Sequence, residues 1–216
     1  MRIDLGTGTP GELTPVAGAE RGLVLVPDLM GLRPLFDAHA ARLAAEQGWT
    51  VCAPQVFPGR EHLTAEERMA AVCELVDDEV RADVLAAADA TECETVVIAG
   101  FCMGGMYAIK AAATGRFHRA AAFYGMIRLP ERWKGPGQGE PLELLAAGSP
   151  CPLLAIIGTE DPFTPPDDVA ALAAAGAQVV SYEGADHGFV HDPVRPAHRP
   201  DDAVDAWNRV VEFLSQ

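Results

Sequence analysis

Cys102 sits between two glycines, in Gly100-Phe101-Cys102-Met103-Gly104-Gly105. An apolar run, Thr95-Val96-Val97-Ile98-Ala99, leads in, and a helix-forming run, Met106 to Ala113, leads out. A thiol at the apex of such a strand, turn and helix can attack a carbonyl. The helix N-terminus beneath it favours thiolate over thiol. Side chains at Gly100 or Gly104 would collide with the strand and helix being joined. A thiol nucleophile needs a base, and the base needs an orienting carboxylate. In Thr159-Glu160-Asp161-Pro162-Phe163-Thr164-Pro165, Asp161 lies just past an apolar strand-like run. In Glu183-Gly184-Ala185-Asp186-His187-Gly188-Phe189, His187 does the same. Glu160 competes for the acid's place, but neighbouring positions point in different directions and Asp161 is preferred. Of the other histidines, His39 and His118 fall in helical or pre-strand contexts and His62, His191 and His198 in loops. The bland account is a buried small cysteine and a surface histidine; the order and strand-end placement of the three residues weigh against it.

Strand-like runs at Gly22–Pro27, Thr50–Ala53, Thr95–Ala99, Arg119–Phe123, Leu153–Gly158 and Gln178–Tyr182 alternate with helical patterns. The helices are expected at Pro34–Gln47, Thr64–Ala90 (broken near Asp77–Glu79), Met103–Thr114, Pro166–Ala175 and Asp201–Leu214. Met69, Val72, Cys73, Val76 and Val80 share one helical face of the second. Alternation of this kind predicts an α/β fold with a mainly parallel, doubly wound sheet flanked by helices, as one domain over residues 1–216. Ligands of such sheets bind at the carboxyl ends of strands, where Asp28, Cys102, Tyr124, Asp161 and His187 gather. Gly6-Thr7-Gly8-Thr9-Pro10-Gly11 matches G-x-G-x-x-G in form only, because no convincing strand precedes it and Pro10 and Pro15 deny it a helix start. Residues 129–149, rich in Gly and Pro, read as a surface connection or as a flap over the site with Trp133 near its tip.

The 216 residues carry a formal charge of −15, which argues against nucleic-acid or anionic-membrane partners. Five cysteines without a C-x-x-C pair suit reduced thiols in a cytoplasmic protein. The first residues lack the apolar stretch of a secretory leader, and no apolar run approaches the roughly 20 residues of a membrane span. No cofactor is implied, and no H-E-x-x-H or clustered His/Cys set suggests a metal.

The three motifs, in this order, resemble the dienelactone hydrolase family of the α/β-hydrolases, across roughly residues 22–214. The resemblance implies the α/β-hydrolase fold and a Cys102–His187–Asp161 triad. It also implies an oxyanion hole made by the backbone N–H groups of Leu29 and Met103. Where the family has a Glu that contacts the resting thiol, this chain has Asp28, which reads equally as a loop cap. Where dienelactone-cleaving members carry an Arg, four residues after the catalytic His, that clamps the substrate carboxylate, this chain has His191. A second family Arg corresponds to Arg68, which otherwise reads as a solvated helix residue. Tyr124 either lines the pocket or caps the core, and Phe189 is a further pocket candidate.

The expected activity is hydrolysis of a small-molecule ester or lactone by Cys-His-Asp covalent catalysis, in a monomer or homodimer. The alternative is a catalytically silent α/β-hydrolase scaffold that binds a ligand or senses oxidants through its thiol.

Overall fold

The computed structural model describes all 216 residues. Its centre is one eight-stranded sheet. In chain order the strands are β1 (Arg2–Asp4), β2 (Pro10–Thr14), β3 (Arg21–Val26), β4 (Thr50–Pro54), β5 (Thr95–Phe101), β6 (Ala120–Phe123), β7 (Leu153–Gly158) and β8 (Gln178–Tyr182). Their spatial order is β1-β2-β4-β3-β5-β6-β7-β8. From β4 to β8 all neighbours are parallel, and β1 and β2 add an antiparallel edge. Strands β3, β5 and β7 are buried almost throughout, as parallel strands covered on both faces must be. All six strands read from the sequence are present. β1 and β2 are additions to that reading, and the glycine-rich match at residues 6–11 is the turn and strand start of their hairpin, not a strand-to-helix phosphate loop.

The helices are α1 (Pro34–Gln47), α2 (Ala65–Ala71), α3 (Asp77–Ala90), α4 (Met103–Ala112), α5 (Pro141–Ala147), α6 (Pro166–Ala174) and α7 (Pro200–Ser215). α3, α4 and α5 pack together on one face of the sheet. α1 and α7 meet elsewhere, where the His39 and Trp207 rings lie 5.7 Å apart. α1 begins on a proline and ends at Gly48 in the left-handed region (φ 70°), whose N–H donates to Ala44 O. α2 opens on a capping box, Thr64 with Glu67.

The region read as one long helix over residues 64–90 breaks earlier than expected. A 3₁₀ turn at Val72–Glu74 is followed by extended Leu75 and Val76. Asp77 N–H then donates to Gly137 O, and three acids in the first turn of α3 suit its positive end. Val76 is consequently 37% exposed rather than part of an apolar helix face. Residues 129–149 form no loose flap. They contain a 3₁₀ turn and α5; Trp133 is fully buried with its indole N–H on Met69 Sδ at 3.0 Å, and Gly139 N–H donates to Asp77. No helix is long and apolar enough to cross a membrane.

Candidate active site

Cys102 caps the N-terminus of α4 with φ 55° and ψ −118°, a backbone state that non-glycine residues rarely adopt. Close packing of glycines holds it there. A Cβ on Gly100 would lie 2.1 Å from Gly104 O, and one on Gly104 would lie 2.2 Å from Pro27 O. β5 and α4 therefore approach each other and the end of β3 without side chains between them. Gly104→Ala is expected to cost about 3 kcal/mol or more by overpacking. In a chain of this size that is a fall of about 10 °C in Tm, readable by a thermal melt.

Asp161, past the end of β7, accepts from Phe163 N–H at 2.8 Å and faces His187 Nδ1 at 2.9 Å through its other oxygen. Its carboxylate is fully buried. Glu160 is exposed, so the acid's place falls to Asp161. Tyr124 and Phe163 meet the His187 imidazole edge-on, at 5.1 and 4.9 Å, and fix its plane. His187 Nε2 is buried and has no hydrogen-bond partner. Burial opposes charge on this ring. The Asp161 hydrogen bond and the adjacent Cys102 sulfur outweigh it and push the pKa up to about 10. Base and thiol thus lie together at the carboxyl end of the sheet.

Asp28, after β3, has both oxygens occupied. Oδ1 accepts from Met30 N–H (2.9 Å) and Arg33 (2.6 Å), and Oδ2 from Arg33 (2.9 Å) and His191 Nε2 (2.8 Å). Burial raises this carboxyl, but His191 and Arg33 together hold it well below the usual carboxylate range. With its lone pairs committed to these partners, Asp28 makes no hydrogen bond to the thiol and acts as the cap of the 28–31 turn. That turn leaves Leu29 N–H without an intramolecular acceptor. Met103 N–H, first in α4, is equally free of an intrahelical one.

His191 departs from the expected pocket position. Its ring is fully buried, stacked on Phe101 at 4.9 Å, with one nitrogen on Asp28 and the other on the Tyr124 hydroxyl at 2.5 Å. Burial lowers its pKa despite Asp28, so the neutral ring donates from Nε2 to Asp28 and accepts at Nδ1 from Tyr124. No ring nitrogen remains for a substrate. Tyr124 (φ 40°) and Phe189 are likewise fully buried; Tyr124 caps the core beneath His187 and Phe189 packs on Tyr124 and Tyr182. Neither presents a face to a ligand.

Arg68 is no solvated helix residue. It is 3% exposed, donates from Nε to Leu63 O and from Nη2 to Glu61 O, and leaves Nη1 buried without a partner. Nη1 lies 3.4 Å from where a Cβ on Gly31 would be, against the turn that carries Leu29. One residue escaped the sequence reading: the Arg195 guanidinium packs over Gly188, next to His187, at 2.8–3.1 Å from a Cβ built there. The only trace of it in the sequence is that small residue beside the histidine.

A family model described as the dienelactone hydrolase family matches residues 12–216. The chain belongs to the dienelactone hydrolase family. Like its relatives, this family member is an α/β-hydrolase acting on ester or lactone bonds. It is 29% identical to carboxymethylenebutenolidase of Rhodococcus opacus, over 92% of this chain and 82% of the relative. It is 28% identical to a Bradyrhizobium protein named a probable 2-oxo-3-(5-oxofuran-2-ylidene)propanoate lactonase, over 98% of this chain and 92% of the relative. A crystal structure from Klebsiella pneumoniae, assigned to the dienelactone hydrolases, superposes with a TM-score of 0.88 at 22% identity, covering 100% of this chain and 98% of that one. That likeness speaks to the fold.

Proposed function

We propose that this family member hydrolyses a carboxylated ester or lactone through an acyl-enzyme on Cys102. The observation that carries the reading is the 2.9 Å contact of His187 Nδ1 with buried Asp161, which leaves Nε2 unpartnered beside the elbow thiol. The Cys102 sulfur attacks the carbonyl carbon, and the developing oxyanion accepts from Leu29 and Met103 N–H. Each such donor is worth about 10²–10³ in rate. As the C–O bond breaks, His187 gives its proton from Nε2 to the leaving alkoxide. It then takes a proton from water, which attacks the thioester and frees Cys102. Asp161 holds the imidazole in the tautomer that both steps require.

The names of both curated relatives denote lactones that carry a carboxyl group. Arg68, with a buried N–H group unspent, and Arg195, over Gly188, supply positive charge for such a group here. Arg68→Gln is expected to raise KM for carboxymethylenebutenolide about tenfold while leaving KM for p-nitrophenyl acetate unchanged. Equal effects on both substrates would refute the carboxylate reading. The acyl-enzyme itself is tested by intact mass, as one acetyl group on Cys102 after mixing with p-nitrophenyl acetate.

The base has its own test. A pKa of about 10 keeps His187 charged across neutral pH. His187→Ala therefore slows alkylation of Cys102 by iodoacetamide at pH 7 by about tenfold or more. In the wild type, ester turnover falls as pH rises through about 10, where His187 loses the proton it gives to the leaving group. The stability that His187 gains from its partners follows the same sign. It is complete below the unfolded value near 6.5 and is lost as pH passes the folded one.

A further inference from the structure

Behind the triad runs a buried chain of polar groups that the proposed chemistry leaves unused. The Tyr124 hydroxyl donates to His191 Nδ1 at 2.5 Å, and His191 Nε2 donates to Asp28 Oδ2 at 2.8 Å. All three residues are buried. The His191 carbonyl accepts from His39 Nε2 at 2.7 Å, which ties the same residue to α1. The chain joins three segments, each of which carries part of the site. Asp28 opens the turn that presents Leu29 N–H. Tyr124, just past β6, meets the His187 ring edge-on at 5.1 Å. His191 lies four residues beyond His187 on one loop. The partners of the Asp28 carboxylate differ in what they can fix. Met30 N–H and Arg33 are two and five residues away and move with the turn. His191 is 163 residues away, and no other side chain from outside the turn bonds to this carboxylate.

The imidazole is itself pinned, stacked on Phe101 at 4.9 Å and on Phe36 at 6.0 Å. An apolar ring would fill the same place without desolvating a polar group, so what this one adds is direction. Direction counts most at Leu29, because an oxyanion donor has to stand about 2.7–3.1 Å from an oxygen that forms only in the transition state. A misplacement of about 1 Å costs about 10²-fold in rate. We propose that His191 is a positioning residue for the oxyanion donor of Leu29: Tyr124 sets its tautomer, its Nε2–H fixes Asp28, and the turn is thereby held in register with the loop that carries His187. This role rests on the acyl-enzyme reading and adds to it a residue whose ring nitrogens are both spent inside the protein.

Two reactions of Cys102 separate positioning from general damage. Acylation by p-nitrophenyl acetate builds an oxyanion. Alkylation by iodoacetamide expels iodide from a saturated carbon and builds none. His191→Phe keeps a ring against Phe101 but loses both hydrogen bonds. It is expected to slow acylation at saturating ester by about tenfold or more, with the half-saturating ester concentration and the alkylation rate within about twofold of wild type. His191→Gln carries a donor and an acceptor, as the neutral imidazole does, and is expected to recover most of the lost rate. Tyr124→Phe removes one hydroxyl and keeps the ring beside His187. It is expected to slow acylation alone by about threefold, and it decides the question should His191→Phe fail to fold in a thermal melt. Equal slowing of both reactions would overturn the assignment. So would unslowed acylation in His191→Phe or Tyr124→Phe, or a folded His191→Gln no faster than His191→Phe. A wild type that takes up no acetyl group overturns the acyl-enzyme reading together with this role; an acetylated wild type with unslowed variants overturns the role alone.

Discussion

With Cys102 replaced by alanine, turnover of the best ester or lactone falls by about 10⁴-fold or more, with the protein still folded. The reason lies in how the site divides its work. The oxyanion donors and the binding pocket survive the substitution, so a residual rate above that in water persists. The covalent route does not survive, because no other nucleophile occupies the elbow. Cys102 caps α4 through its backbone, and its side chain makes no hydrogen bond that the fold depends on, so stability changes little. The measurement is steady-state hydrolysis, paired with a thermal melt to exclude unfolding. Undiminished turnover in a folded Cys102→Ala protein would sink the acyl-enzyme mechanism and favour a scaffold whose thiol is not catalytic.

Asp28→Ala is expected to damage both stability and rate. It removes the anion that Arg33 and His191 share, leaving a buried imidazole N–H without an acceptor and a partly buried cation with only Gly31 O at 3.3 Å and Asp192 at 3.8 Å. Breaking a buried pair from one side costs about 3–5 kcal/mol. Arg33 keeps some access to water, which places the loss near the lower end. The turn bearing Leu29 N–H also loses its cap at Met30, so kcat falls more than KM rises. Acid titration separates charge from packing. A carboxyl whose folded pKa is depressed binds fewer protons folded than unfolded, so its contribution is complete above the unfolded value near 4 and declines as pH falls towards the folded one. The Tm difference between wild type and Asp28→Asn should therefore narrow below about pH 4. A difference that stays constant down to the acid transition would show that the charge of Asp28 contributes nothing.

The positions of Cys102 and Asp161 are legible because each closely follows a buried parallel strand, which announces itself as an unbroken apolar run; His187 follows the half-exposed β8. β1 and β2 are not legible, since a half-exposed edge hairpin of Gly, Pro and Thr carries neither alternation nor an apolar run. The fate of Asp28 and His191 was hidden as well. Asp28 reads as a contact of the thiol or a loop cap and His191 as a substrate contact, and only the fold brings them to each other. Arg68 misled in the opposite direction: its surroundings, Glu66 and Glu67, suggest a wetted helix, yet backbone carbonyls of the preceding loop draw its guanidinium inward.

The Asp28–His191 hydrogen bond also sets a clock on synthesis. Its two ends are 163 residues apart, which at ~5–20 residues per second is about 8–30 s of translation. During that interval the local partners Arg33 and Met30 N–H hold Asp28, and for about half of it the elbow exists without its histidine. The nucleophile is thus armed only once nearly all of the chain has been made.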